Sequence, residues 1–285
     1  MFLAKCSALR SLDMSRQVGA VILDDDGSVL GQGHNDIPKY GGGLYWEGDK
    51  SDGRDYSIGR DYSVVYRKQI VEEIVYGLAK HDILSKDWQK DPHNLIEYLS
   101  KGEGKSIWSN FIVSNILEFG RSLHAEMAAI LDSARKGVSV VGSTLYCTTF
   151  PCHLCARMII GAGIYRVVYM EPYHKSKTEV MYRDSVVVDP PSDVPGKVNF
   201  TPFVGIAPEK FEKLFKWRGK RRDRDGTPLQ WEPEKYGTRI KRYINSYIYL
   251  EAKTVESVKH ILEPKGLAWT PEKEEVDNGE KETEQ

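Results

Sequence analysis

The sequence predicts an α/β protein, a sheet covered by helices, with a partly helical insertion and a helical C-terminal extension. Two observations carry this. Between residues 123 and 170 the apolar patterns alternate helix, strand, helix, strand, the order of a parallel crossover unit. Near the amino terminus, apolar runs at 18–23 and around 29–30 bracket Asp24-Asp25-Asp26-Gly27, a hairpin signal. A chain of 285 residues allows one large domain, or one domain with appendages.

Taken in order, Phe2, Leu3, Cys6, Leu9 and Leu12 fall at helical spacing and predict an amphipathic first helix. The hairpin follows and runs out at Gly31-Gln32-Gly33-His34-Asn35, where glycines let a backbone approach a ligand closely. Residues 36–65 read as an irregular loop, too rich in Tyr, Trp and Arg for plain disorder. Helical patterns return at 66–80, 85–100 and 107–119, so 40–121 reads as an insertion. Within it Gly104-Lys105-Ser106 resembles the end of a phosphate loop, but position 99 is Leu and no strand precedes it; a solvated loop is the better account.

From residue 123 to 136 Leu123, Met127, Ile130, Leu131 and Ala134 trace a helix that stops at Gly137. Residues 144–148 read as a strand, Pro151 opens a second helix, and 165–170 form the next strand. The turn Glu171-Pro172-Tyr173-His174-Lys175-Ser176 lies at its carboxyl end, the side where ligands gather in open α/β sheets. Short strands and proline-rich turns are expected over 186–207, a short helix over 208–215, a basic cluster over 218–224, and mostly helix over 234–262. The acidic last twenty or so residues have little apolar content and are expected to be disordered.

Composition excludes several classes. A net charge of −1 gives no global field toward nucleic acid or membrane. No apolar run is long enough to span a bilayer, and the amino terminus is too polar for a secretory signal. Four cysteines are too few for a disulfide framework and fit a reducing, cytoplasmic setting. Cys6 and Cys147 lie in apolar patterns and read as core residues.

The chemistry concentrates in 124–155. His124, Cys152 and Cys155 offer one imidazole and two thiolates, three good ligands for Zn2+, and three protein ligands leave a position open for water. Such an ion would lower the pKa of a bound water, and Glu126, two residues from the histidine, is placed to handle its proton. Cys152 and Cys155 share one face of a helix start, where the dipole favours thiolate. A lone His-x-Glu or Cys-x-x-Cys says little; together they resemble the signature of zinc-dependent nucleobase deaminases. A purely structural zinc would need a fourth ligand, which no further cysteine supplies, and His153 would point off that face.

The resemblance extends further. Val18-Gly19-Ala20-Val21-Ile22, Gly33-His34-Asn35-Asp36-Ile37-Pro38, His124-Ala125-Glu126, the run from Leu145 through Pro151-Cys152-His153-Leu154-Cys155-Ala156, and Ala162-Gly163-Ile164 before Val167-Val168-Tyr169 resemble the deoxycytidylate deaminase family. The likeness covers roughly 1–40 and 121–185 and implies the cytidine-deaminase fold, a mixed five-stranded sheet flanked by helices. It implies a deaminase domain over 1–200, a C-terminal extension over 201–263 packed on the same domain, and an acidic tail over 264–285. Gly59-Arg60-Asp61-Tyr62, the 171–176 turn and the stretch 202–208 resemble bacterial anti-phage deoxycytidylate deaminases, which deplete deoxycytidine nucleotides during infection. In that group a kinase-like domain usually precedes the deaminase; here the chain opens on the first deaminase helix, so it is expected to be free-standing or to have lost its amino-terminal half.

By that resemblance the substrate is a free deoxycytidine nucleotide, dCMP or dCTP, and the assembly a homo-oligomer, dimer or hexamer. Asn35 would bond the sugar, Ala125 would offer backbone atoms to the base, and Thr148 matches the family's threonine before Pro-Cys. Tyr173 and Lys175 are candidates to close on the base and a phosphate, and Arg54 and Arg60 are candidate phosphate partners. The alternatives are a turn residue for Asn35, an ordinary surface turn for Tyr173 and Lys175, and solvated loop charge for the two arginines. The competing functions are a polynucleotide base deaminase acting on single-stranded DNA or tRNA, which the near-neutral charge disfavours, and a non-catalytic zinc module, which the intact Glu126 disfavours.

Overall fold

The computed structural model describes residues 1–111, 116–216, 220–229 and 247–262. The chain divides into two compact units, Met1–Glu212 and Lys213–Gln285. In the first, α1 (Phe2–Ala8) precedes the hairpin β1 (Gly19–Leu23) and β2 (Val29–His34). The insertion holds α2 (Asp55–Ile58), α3 (Tyr62–Lys80), α4 (Lys86–Lys90), α5 (Pro92–Ser100) and α6 (Lys105–Ser109). Then come α7 (Ala125–Lys136), β3 (Thr144–Thr149), α8 (His153–Gly161), β4 (Arg166–Glu171), α9 (Thr178–Met181), β5 (Val186–Val188), β6 (Val198–Pro202) and α10 (Pro208–Phe215), the last running into the second unit. The second unit contains the turn closed by the Arg222–Pro228 bridge and a helix over Tyr247–Leu262.

The strands form one mixed sheet in the order β2-β1-β3-β4-β6-β5. β1 pairs antiparallel with β2 and β3, and the remaining pairs are parallel. This is the α/β class expected, with one strand more than the five anticipated: the short Val186–Val188 run pairs on the outside of β6. At the hairpin Gly27 takes φ +81, and Asp24 closes the turn through its carboxylate on the Ser28 N–H at 2.7 Å. Helix α7 stops as expected at Gly137, in the left-handed conformation. The main core lies between the sheet and α7 and α8, with Ile22, Leu145, Ile159, Val167 and Phe200 fully buried. The insertion has a small core of its own, Val71 and Val75 of α3 against Ile96 of α5.

Several expectations change. Helix α1 ends at Ala8, and its buried face is Ala4, Ser7 and Ala8; Leu3, Cys6 and Leu9 are exposed. The reason is Gly19, whose Cα faces the backbone of Ala4 and Ala8 so closely that only small helix residues fit. Cys147, by contrast, is a core residue as expected. The glycines of β2 admit a helix rather than a ligand, since Gly31 and Gly33 face the backbone of α7. Among the described residues the pattern over 107–119 yields helix only at Lys105–Ser109, and 116–120 is not helical. Residues 112–115, part of the basic cluster, 234–246 of the expected C-terminal helix and the acidic tail lie outside the described residues. Among the described residues no helix is long and apolar enough to cross a membrane.

The β2–α7 contact sets the position of His124 and Glu126, so Gly33→Ala is a test of the scaffold. A Cβ there would meet the Ala125 carbonyl and the Ala129 nitrogen, both backbone atoms that cannot swing aside. The expected cost is about 3 kcal/mol, read as a lower midpoint in urea, with weakened zinc retention because α7 must move.

Candidate active site

Two helix starts converge on one point. His124 is the residue before the first turn of α7, with extended backbone (φ −72, ψ 154), and Cys152 holds the same position before α8 (φ −72, ψ 169). Paired backbone bonds fix the approach of α7: Leu123 N–H donates to the Asp36 carbonyl at 2.9 Å, and Asp36 N–H to the Leu123 carbonyl at 3.2 Å. The approach of α8 is fixed by β3, which delivers Pro151 and Cys152 directly from its carboxyl end. Nδ1 of His124 lies 3.2 Å from Sγ of Cys152 and 3.3 Å from Sγ of Cys155.

The three side chains form the one His/Cys/Asp/Glu cluster among the described residues suited to a metal ion. Tetrahedral zinc at ordinary bond lengths would set nitrogen and sulfur ligands about 3.5 Å apart, a few tenths of an ångström from what is seen. The donor set therefore fits zinc, and His153 does not join it.

Without metal the cluster settles its own charges. Cys152 is lowered to about 4, first by the hydrogen bond from Cys155 and then by His124, so it is a thiolate. Cys155 is raised well above the usual thiol range, first by burial and then by Cys152. His124 loses some basicity to burial, but bonding and attraction to the Cys152 thiolate win and raise it to about 9. Glu126, buried beside them in the first turn of α7, is raised by burial, with the His124 cation opposing and the Cys152 charge adding to the rise.

His124, Glu126 and Cys152 line a cleft of about 470 Å3. Of the expected substrate contacts, Asn35, Ala125, Tyr173 and Lys175 line it. Asn35 has much of its amide committed to the backbone: Oδ1 accepts from Val18 N–H at 2.7 Å and Nδ2 donates to the Arg16 carbonyl at 2.8 Å. It thereby shapes the 13–17 segment of the cleft wall. The Tyr173 turn is fastened to the metal corner by Ser176, whose hydroxyl donates to the Pro151 carbonyl at 2.9 Å.

Three expected contacts are placed elsewhere. The Thr148 hydroxyl accepts from Gly19 N–H at 3.1 Å, bracing β1 on β3, and it is the next residue, Thr149, that lines the cleft. Arg54 is buried and spends its guanidinium on Asp52, with Nε 2.8 Å and a terminal nitrogen 2.6 Å from the carboxylate. Arg60 lies over the Tyr62 ring and is not among the lining residues. The cations that do line the cleft, besides Lys175, are Arg16, Arg67 and Arg121. Arg121 stands three residues before His124, and that proximity was the available signal. Arg67 and Arg16 carry none in the linear sequence.

Residues 1–171 match the family profile described as the cytidine and deoxycytidylate deaminase zinc-binding region. The deoxycytidylate deaminase of Enterobacteria phage T4 is 29% identical over 163 residues, which is 57% of this chain and 71% of that protein. The mouse deoxycytidylate deaminase is 25% identical over 178 residues, 62% of this chain and 66% of that one. Among solved structures, the dCMP deaminase of cyanophage S-TIM5 aligns over 70% of this chain and 90% of its own, at 18% identity and a TM-score of 0.35. With the profile spanning more than half its length, and all three ligand positions plus the acid inside that span, the chain belongs to the cytidine and deoxycytidylate deaminase family.

Proposed function

We propose that the protein deaminates a free deoxycytidine nucleotide hydrolytically, dCMP or dCTP, to the deoxyuridine nucleotide and ammonia. The observation that carries this is the buried Glu126 carboxyl beside the His124, Cys152 and Cys155 cluster, with Glu126, His124 and Cys152 lining a cleft of about 470 Å3. The relatives named deoxycytidylate deaminase support dCMP as the first substrate to try.

Zinc held by the three ligands supplies a Lewis acid that makes water acidic enough to react near neutral pH. The chain's own groups do the rest. Burial gives Glu126 a raised affinity for protons, suiting it to take one from water and pass it to N3 of cytosine as oxygen adds to C4. Glu126 then moves the remaining hydroxyl proton to the amino group, which leaves as ammonia while C4 becomes a carbonyl. The Ala125 backbone, at the first turn of α7, would offer its atoms to the base, and Tyr173, which also lines the cleft, would close on it.

The resemblance of the 171–176 and 202–208 stretches to anti-phage deaminases supports a role in draining the deoxycytidine nucleotide pool during infection. The test is ammonia release from CMP, dCMP, CTP, dCTP and cytidine, beside a cytosine-containing single strand. Turnover of dCMP or dCTP alone is the expected result. Editing of the strand with no turnover of free nucleotides would replace the proposal with the polynucleotide reading.

A further inference from the structure

We propose that Arg121, carried by the insertion, recognises the 5′-phosphate of the nucleotide, and that Asp55 occupies the guanidinium in the substrate's absence. This rests on the deaminase reading above and adds the residue that would choose nucleotide over nucleoside.

The geometry points there. Arg121 lines the cleft that also holds His124 and Glu126. Only two residues lie between it and His124, a chain span of at most about 10 Å, the scale of one nucleoside. Its guanidinium donates to Asp55 Oδ1 at 2.6 Å and to the Gly53 carbonyl at 3.1 Å, and it lies 5.3 Å from the centre of the Tyr62 ring. The stack of Tyr66 on Phe119, with centroids 5.0 Å apart, ties this segment to α3. Arg67, on the same wall, donates to the Ser63 carbonyl at 3.0 Å and so presents a second cation.

A phosphate offers the same paired oxygens to an arginine fork as a carboxylate does. Burial raises the pKa of Asp55 although Arg121 draws it down, so Asp55 takes up a proton more readily than an exposed carboxylate once a phosphate claims the guanidinium. The other carboxylates near this wall are committed to main-chain N–H groups. Asp61 accepts from Ser63 N–H at 2.8 Å, and Asp13 from Ser15 N–H at 2.9 Å. Arg54 and Arg60, the arginines the sequence singled out, do not line the cleft, although Arg60 lies over the same Tyr62 ring at 5.4 Å.

Titrating the zinc-loaded protein with dUMP and with deoxyuridine reads phosphate recognition without turnover. Arg121→Gln is expected to weaken dUMP by about tenfold or more, the worth of a charged hydrogen bond, and to leave deoxyuridine unchanged. Asp55→Asn is expected to act in the opposite sense and tighten dUMP, because the competing anion is gone. A residue that only braced the fold would weaken both ligands in both variants. Arg121→Lys keeps charge but not the fork and is expected to fall between wild type and Arg121→Gln; it carries the test should Arg121→Gln not fold. An unchanged dUMP-to-deoxyuridine ratio in the Arg121 variants, or weakened dUMP in Asp55→Asn, overturns the assignment. Ammonia release from dCMP by the wild type reports separately on the deaminase reading, so either can fail alone.

Discussion

Glu126→Gln is expected to leave the protein folded and zinc-loaded while slowing ammonia release from dCMP by about 10²–10⁴-fold. The argument is one of shape against charge. Glutamine matches glutamate in size, and the site is closed, with Glu126 only 4% exposed. Burial already penalises the ionised form of Glu126, so a neutral amide removes a strained charge rather than a needed one. Stability should therefore hold or rise slightly, read by thermal unfolding with zinc content measured in parallel. What the amide cannot do is carry a proton from water to N3 and a second to the amine. Full turnover in a zinc-loaded Glu126→Gln protein would exclude Glu126 as the proton carrier. A fall in zinc content would instead give it a structural part.

The zinc cluster was legible in the sequence because its motifs are short. Cys152 and Cys155 are one turn apart, and paired with His124-x-Glu126 they resemble the deaminase signature, although His124 lies 28 positions before Cys152 and meets it only through the fold. The α/β class was legible for the same reason, since periodicity and turn residues act over a few positions. The errors lie where a distant partner decides. Leu3, Cys6 and Leu9 carry the apolar pattern of α1, yet Gly19 selects the opposite, small-residue face. Thr148 sits beside the metal corner in sequence, but alternation along β3 turns its hydroxyl to Gly19 and leaves Thr149 to the cleft.

Arginines are the clearest case. Arg54 and Arg60 are engaged by neighbours two positions away, Asp52 and the Tyr62 ring. Arg67 and Arg121 are 54 positions apart in the sequence and share a wall only because α3 and the 116–122 segment pack together. No periodicity encodes that meeting. It follows that the candidate metal cluster can be assigned from the motif, whereas the proposed substrate grip depends on the fold of the insertion.

Replacing Cys155 with serine is expected to abolish metal retention and turnover together and to lower the melting temperature. Cys155 is fully buried in the main core, where the serine hydroxyl is a poor zinc ligand and an ill-placed polar group. Losing a ligand-bound native state forfeits about 4 kcal/mol at zinc a thousandfold above its Kd, or a fall of about 8–16 °C at this size. Chelation of the wild type should reproduce the shift, and added zinc should restore the wild type but not Cys155→Ser.

The protonation pattern of the metal-free cluster gives the pH dependence its sign. Cys152 is already a thiolate, whereas His124, raised to about 9, and Cys155, raised well above its usual range, both hold a proton near pH 6. Zinc must displace both protons, so the metal-free form binds more protons and affinity rises with pH, by about a hundredfold per pH unit while both remain protonated. Calorimetric zinc titration near pH 6, in buffers of different ionisation enthalpy, counts the protons released. Performed on Glu126→Gln, it removes the one acidic neighbour that would add to the count, and two protons are expected. A count of three near pH 6, where zinc-bound water with a pKa of about 7 stays largely protonated, would mean that Cys152 is a thiol before zinc arrives. The ion pair between Cys152 and His124 would then be absent, and the two helix starts would be held together by packing alone until the metal joins them.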